Sequence, residues 1–200
     1  MLFRSMFETS PEIVKKHFLV LRRLAEKIGP DLKVFLGCEF HANVEMLEYL
    51  HADRVYSMAG SRYVLTEFSA STEEKYIRDR IYELLSSGYK PIVAHIERYK
   101  CMKDIELVEY LVNKGAYMQV NADSVIGKNG HGVKKYCGKL LEDELVQFIG
   151  SDCHGSKRRV TRIGDAYAYV SKKFGCQAAD EIFIDNPQEI LDNAKHCLSL

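Results

Sequence analysis

The stretch PIVAHIERY at residues 91–99 decides the fold class, because an apolar run ends abruptly in histidine, glutamate and arginine. The run at 91–94 is too apolar to have one face in water, which is typical of a strand in a parallel sheet. A helix is predicted at 104–114, and Gly115 ends it. A buried strand followed by a helix is the repeating unit of parallel α/β folds.

The same unit recurs along the chain. Further strands are predicted at 32–36, 63–65, 117–120 and 146–149, and further helices at 10–28, 43–50, 73–86, 133–142, 162–174 and 187–197. The first helix has Ser10 as a candidate N-cap and Pro11 at its first position. One face of it carries apolar side chains at helical spacing, namely Ile13, Val20, Leu21, Leu24 and Ile28.

Bulk composition indicates one soluble globular domain over residues 1–200, which are 46% hydrophobic and 28% charged. The formal net charge is zero, which gives no support to nucleic acid or an anionic membrane as a bulk partner. No apolar run is long enough to insert in a membrane, and no signal peptide is evident, so a cytoplasmic location is expected. The six cysteines show no C-x2-C spacing and are expected to be free thiols.

Polar side chains occur where the predicted strands end. They are Glu39, Glu67, His95, Asn121, Asp152 and His154. The carboxyl ends of parallel strands share one face, so these residues are expected to meet in space. Unpaired carboxylates gathered there would repel each other, whereas divalent metals between them would make the cluster favourable. Mixed histidine and carboxylate ligands suit zinc, manganese or iron better than calcium.

Arginines follow the same strand ends. Arg98 lies three residues after His95, and Arg158 and Arg159 lie four and five residues after His154. The planar guanidinium group donates two hydrogen bonds to phosphate. Metals and arginines on one rim therefore predict a phosphoesterase. Cys153 and Arg159 fit the C-x5-R spacing of cysteine phosphatases, but the residues between them do not form the required glycine-rich cradle.

These residues resemble the PHP (polymerase and histidinol phosphatase) superfamily and, within it, the bacterial tyrosine-protein phosphatases of the CpsB/YwqE type. The resemblance runs from about residue 7 to 174. It is carried in order by the strings GCE at 37–39, LTEF at 65–68, PIVAHIERY at 91–99, QVNA at 119–122 and FIGSDCH at 148–154. Ile96 stands where the family usually has proline, which we interpret as a tolerated change.

The resemblance implies a distorted (β/α)7 barrel with up to three metal ions, often manganese. The substrate it implies is a phosphotyrosine-bearing bacterial tyrosine kinase that controls capsule or exopolysaccharide synthesis. Carried over by motif, Glu39 is the bridging carboxylate, and the other metal ligands are Glu67, His95, Asp152 and His154. Arg98 and Arg159 are implied to hold the substrate phosphate, and the nucleophile is a metal-bridging hydroxide rather than a side chain.

The N-terminus departs from the family pattern. The family opens with a strand carrying H-x-H and a second carrying T-P-H, and neither string occurs here. The barrel is therefore expected to lack its first one or two β/α units, with three metal ligands among them. Two alternatives stay open: a small-molecule phosphatase of the histidinol-phosphate type, and a non-catalytic remnant that binds a partner. An oligomer is possible.

Overall fold

A parallel sheet with its strands in sequential order forms the centre of the molecule. The computed structural model describes residues 2–3 and 10–197, and the side chains of 10–194. Within that part the strands are β1 (Leu2–Phe3), β2 (Glu39–His41), β3 (Tyr63–Glu67), β4 (Lys90–Val93), β5 (Tyr117–Asn121) and β6 (Phe148–Gly150). Each pairs in parallel with the next in the chain, so β1 and β6 are the two edges of the described sheet.

Helices connect the strands and cover the outer face of the sheet, except that α9 packs on the inner face. They are α1 (Pro11–Ile28), α2 (Met46–His51), α3 (Glu74–Ser86), α4 (Ile105–Asn113), α5 (Ala122–Ile126), α6 (His131–Glu142), α7 (Ile163–Phe174), α8 (Cys176–Asp180) and α9 (Asn186–Cys197). Short 3-10 turns occupy Met58–Gly60, Ile96–Arg98 and Cys101–Lys103, and a π turn occupies Glu181–Asp185. No helix in the described ranges has both the length and the apolar character needed to cross a bilayer.

Alternation along each strand divides the core into two parts. Outward-facing residues such as Phe40, Val64, Val93 and Met118 are buried beneath the helices in the main hydrophobic core. A smaller cluster of Tyr63, Ile92, Phe148 and Ile190 lies on the inner face, where α9 packs across the starts of the strands. The inward-facing residues nearer the carboxyl ends of the strands therefore decide what the inner face can bind.

The predicted strand at 32–36 is wrong. The backbone in this segment bonds to the loop before β3 instead of a neighbouring strand: Ala59 N–H donates to Leu36 O at 2.7 Å, and Cys38 N–H donates to Tyr56 O at 3.1 Å. Leu32 and Phe35 remain half-exposed as a result. The strand begins at Glu39, so this residue opens β2 rather than following the strand.

Helix α1 begins and ends as predicted, but its apolar face does not pack as a whole. Val14 and Ala25 are its buried residues, whereas Val20, Leu21 and Leu24 are about half-exposed. Ser10 makes no side-chain capping bond to the helix backbone, and its hydroxyl bonds to Glu12 instead. The remaining predicted strands and helices are confirmed to within three residues at each end. The short α5 and α8 were not predicted.

Candidate metal centre

Inward-facing strand residues enclose a cavity of about 270 Å³. Its lower wall is apolar and includes Leu65, Ile92 and Phe148, whereas its upper end is polar. The polar end is formed by Glu39, His95, Gln119, Asn121 and Asp152, and His95 and Asp152 follow the carboxyl ends of β4 and β6. A polar group of atoms above an apolar floor is the usual composition of a small-ligand site.

Three of the predicted ligands meet at this end. One donor atom each from Glu39, Glu67 and His95 lies within 4.8 Å of the other two. His95 Nε2 is 2.9 Å from Glu39 Oε1 and 3.4 Å from Glu67 Oε2. The side chains of Glu67 and His95 are buried, and that of Glu39 is 18% exposed. Two carboxylates and an imidazole therefore converge on one point that has an opening to solvent.

His95 is held between these carboxylates by its own strained backbone and by Tyr99. Its φ of 36° lies in the left-handed region, which brings the side chain back over the end of β4. The Tyr99 hydroxyl lies 3.2 Å from His95 Nδ1 and accepts a hydrogen bond from Phe68 N–H. Burial disfavours the charged ring, but hydrogen bonds to Glu39 and Glu67 outweigh it and raise the pKa of His95 to about 9.

Asp152 lies on the opposite side of the cavity mouth, between two arginines. Arg98 donates to Asp152 Oδ2 at 2.6 Å, and Arg159 contacts the same oxygen. Burial alone would raise the pKa of Asp152, but the two guanidinium groups reverse that effect and hold it below its ordinary value. Arg159, not Arg158, is thus the arginine of its pair that faces Asp152.

His154 stays outside the group of three. Its side chain is 55% exposed, and its Nδ1 lies 2.8 Å from the carbonyl oxygen of Asp152. Neither Asp152 nor His154 joins the cluster of Glu39, Glu67 and His95. Asp152 lines the same cavity as Glu39 and His95, whereas His154 is not among the residues that line it.

Half of the left-handed non-glycine residues in the described part of the chain belong to the predicted site. They are His95, Asp152 and Arg159, with φ values of 36°, 49° and 50°, whereas Asp53, Ala59 and Glu144 lie elsewhere. Each such conformation costs about 1–3 kcal/mol and persists where the surroundings impose it. Strain of this kind is typical of residues whose side chains must point into a functional site.

Two buried polar residues beside the site had no role in the sequence prediction. Gln119 faces the cavity from β5 and bonds to the backbone of His95. Glu97 accepts hydrogen bonds from Asn121 N–H and the Ser124 hydroxyl. The sequence does contain a signal for Gln119, since it is a polar residue at an inward position of a strand that is otherwise apolar up to its end.

The donor set fits a divalent metal. The described part of the chain brings together one imidazole nitrogen and two carboxylates, all of them ligands of zinc, manganese and iron. Of these three residues, His95 is the one that can carry a positive charge, and its Nε2 contacts both Glu39 and Glu67. A metal ion would replace the proton on His95 Nε2 in that role.

Sequence comparison identifies the family. The family described as "Capsular polysaccharide synthesis, CpsB/CapC" matches residues 3–192. The chain belongs to the CpsB/CapC family. Its curated relatives include the tyrosine-protein phosphatase CpsB of Streptococcus pneumoniae, which is 34% identical over 94% of this chain and 80% of its own length. The tyrosine-protein phosphatase YwqE of Bacillus subtilis is 28% identical over 86% of this chain and 68% of its own length.

A solved structure shares the fold of this CpsB/CapC member. It comes from crystal structures of YwqE from Bacillus subtilis and CpsB from Streptococcus pneumoniae, described as unique metal-dependent tyrosine phosphatases. The match has a TM-score of 0.79 and 27% identity, and it covers 98% of this chain and 77% of the other. The family resemblance and the parallel α/β fold predicted from the sequence are thereby confirmed.

Proposed function

We propose that this protein is a metal-dependent tyrosine-protein phosphatase that acts in capsule or exopolysaccharide synthesis. The observation that supports this best is the convergence of Glu39, Glu67 and His95 at one end of a parallel sheet. This convergence occurs in a chain that is 34% identical to a curated tyrosine-protein phosphatase. Two arginines on the same rim favour a phosphate ester as substrate.

The proposed metal ligands are Glu39, Glu67, His95, Asp152 and His154, with manganese as the proposed metal and up to three ions in a complete site. Glu39, Glu67 and His95 would hold the first ion, because their donor atoms already converge. Asp152 would contribute through Oδ1, which has His154 Nδ1 at 3.4 Å, since Oδ2 takes the bonds from the arginines. His154 would need to turn from its exposed position towards the mouth.

The proposed chemistry divides between the metal and the protein. A divalent ion bound here would lower the pKa of water towards neutrality and so supply the nucleophile. Arg98 and Arg159 would bind the phosphoryl oxygens bidentately and stabilise the charge that develops on them. The carboxylate of Asp152 lies between these two guanidinium groups, so a bound phosphate would share them with Asp152.

The finer structural and biological assignments are also proposals. We propose that residues 1–200 belong to one PHP-type domain, whose sequentially paired strands are part of a distorted (β/α)7 barrel. The proposed substrate is an autophosphorylated tyrosine kinase that bears phosphotyrosine, and an oligomer is possible. Cytoplasmic location stays a prediction from the sequence.

Metal content and hydrolysis test this proposal together. His95→Ala should lower both manganese per chain and hydrolysis of a phosphotyrosine peptide, while the exposed His131→Ala should change neither. Histidinol phosphate, assayed beside the peptide, tests the small-molecule alternative. A His95→Ala protein with full metal and full turnover would rule out the assigned site. A parent protein that binds metal and hydrolyses nothing would leave the non-catalytic alternative.

A further inference from the structure

Gln119 occupies the centre of the inner face, between the two halves of the proposed site. It lies on β5 between β4, which leads to His95, and β6, which leads to Asp152. Its side chain is 8% exposed and lines the cavity with the proposed ligands. We propose that Gln119 is a positioning residue that sets the geometry of His95 and Asp152 for metal binding. This inference rests on the proposed function.

The amide orientation of Gln119 is fixed by a backbone group. Its Oε1 accepts a hydrogen bond from His95 N–H at 2.6 Å, and a backbone N–H can only donate. The amide nitrogen must therefore point the other way. It donates to Val120 O at 2.8 Å and to Asn121 Oδ1 at 3.0 Å, so both of its protons have acceptors.

The orientation of the Gln119 amide also determines that of Asn121, which contacts Asp152. Because Asn121 Oδ1 accepts from Gln119, its own NH2 group faces outward and donates to Asp152 Oδ2 at 3.0 Å. Three donors then hold Oδ2, namely Asn121, Arg98 and Arg159, whereas Oδ1 has His154 Nδ1 at 3.4 Å. Which atom donates and which accepts in the bonds of Gln119 and Asn121 is thus fixed by the backbone N–H of His95.

The same amide holds the strained end of β4. His95 has a φ of 36°, and its N–H would have no strand partner at this point without Gln119. Loss of the bond would leave a buried donor unsatisfied and favour a relaxed backbone, which would turn the imidazole away from Glu39 and Glu67. Gln119 thus acts on both sides of the site through residues other than itself.

Gly150 makes room for this amide. A Cβ atom at position 150 would lie 2.6 Å from Gln119 Nε2 and 3.3 Å from its Cδ. Gly150 does not have a positive φ, so its backbone gives no reason for a glycine. The absence of a side chain at the end of β6 is therefore explained by the position of the Gln119 amide.

Two substitutions displace the amide by different routes. Gln119→Ala removes it, and Gly150→Ala forces it to move. We expect each to raise the Kd for Mn2+, measured by calorimetric titration of metal-free protein, by about 10-fold or more, the usual scale for outer-shell partners of metal ligands. In the Gln119→Ala background the space is vacated, so adding Gly150→Ala should raise the Kd no further.

Matched controls separate positioning from general stability. Gln147→Ala also removes a side-chain acceptor of a β5 backbone N–H, that of Met118 at 2.9 Å, at the far end of the strand. Gly164→Ala adds a Cβ with no atom within 4 Å. Both should leave the Mn2+ Kd of folded protein unchanged, even where Gln147→Ala lowers the melting temperature as much as Gln119→Ala.

The outcomes distinguish this inference from the function on which it rests. A parent protein that does not bind Mn2+ would overturn the proposed function. A parent that binds Mn2+ with the same Kd as folded Gln119→Ala would overturn the positioning role alone. Additive effects in the double variant would also overturn it, because Gly150→Ala would then act through something other than the amide. If Gly150→Ala fails to fold, recovery of folding and binding to the Gln119→Ala level in the double variant supports the inference.

Discussion

At the scale of single residues, His95 is the proposed metal ligand whose pKa is raised. Its ring lies between two carboxylates and is 4% exposed, and its pKa is raised to about 9. In metal-free protein at neutral pH the ring therefore carries a proton that a metal must displace. Metal binding should accordingly release a proton and become tighter as pH rises towards 9.

This raised pKa predicts a pH dependence of stability in the metal-free protein. A group whose folded pKa lies above its unfolded value near 6.5 stabilises the fold fully below pH 6.5, and the contribution is lost as pH rises to about 9. The difference corresponds to about 3 kcal/mol at 1.36 kcal/mol per pKa unit. Urea unfolding at pH 6.5 and 9 should show this loss. His95→Gln should abolish most of it, whereas His131→Gln should leave it in place.

The proposed phosphate-binding role of Arg98 and Arg159 can be tested by point substitutions. Arg98→Lys and Arg159→Lys keep the charge but lose the bidentate fork. We expect hydrolysis of an aryl phosphate to fall by roughly 10²–10³, the scale for removal of one preorganised donor. Manganese per chain should not change. Arg158→Lys is the control, since Arg159 is the neighbour that contacts Asp152. Normal turnover in both variants would make these arginines surface residues only.

At the scale of elements, the turn after β4 is braced from inside. Glu97 lies in the 3-10 turn Ile96–Arg98 and is 5% exposed. Its Oε1 accepts from Asn121 N–H at 3.1 Å and from the Ser124 hydroxyl at 2.7 Å, which ties the turn to the start of α5. The turn that carries His95 and Arg98 is thus fixed to the next strand–helix junction.

Removal of this brace should destabilise the fold. Glu97→Ala leaves two buried donors without an acceptor, at about 1–3 kcal/mol for each unsatisfied group. We expect the free energy of unfolding to drop by at least 2 kcal/mol in urea titrations. Glu109→Ala, an exposed change on α4, should alter it by less than about 0.5 kcal/mol. Equal values for the two variants would contradict the role assigned to Glu97.

At the scale of the whole molecule, the open sheet is the main feature. A closed barrel pairs every strand on both sides, whereas β1 and β6 are the edges of the described sheet. The pneumococcal relative is also longer, since this chain covers 80% of its length. Unpaired strand edges promote self-association.

A longer version that carries an H-x-H strand ahead of residue 1 should therefore be more stable. We expect it to melt at higher temperature, bind more manganese per chain and hydrolyse aryl phosphate faster than the 200-residue chain. Melting curves, metal analysis and manganese-dependent assays compare the two. If the 200-residue chain is a monomer with full metal and rapid turnover, other ligands must complete the site, and His41, His51 and His131 are the first to examine.

Much of the architecture followed from local patterns in the sequence. Apolar runs and the helices between them determined the parallel α/β fold, because alternation and helical spacing are properties of neighbouring residues. The polar residues at strand ends then predicted one shared face. Glu67 and His95 meet there because parallel strands align their carboxyl ends, whereas Glu39 is the first residue of β2 and joins them through its register with Leu65.

Tertiary structure alone decided the details that depend on partners distant in the chain. The apolar segment at 32–36 is no strand because its backbone bonds to the loop before β3, and β2 begins where pairing with Leu65 becomes possible. Arg159 faces Asp152 because its left-handed backbone closes the turn after His154. Gln119 reaches His95 because Gly150, 31 positions later, leaves space for its amide. Each of these outcomes depends on hydrogen bonds and van der Waals contacts between strands or loops that sequence periodicity does not encode.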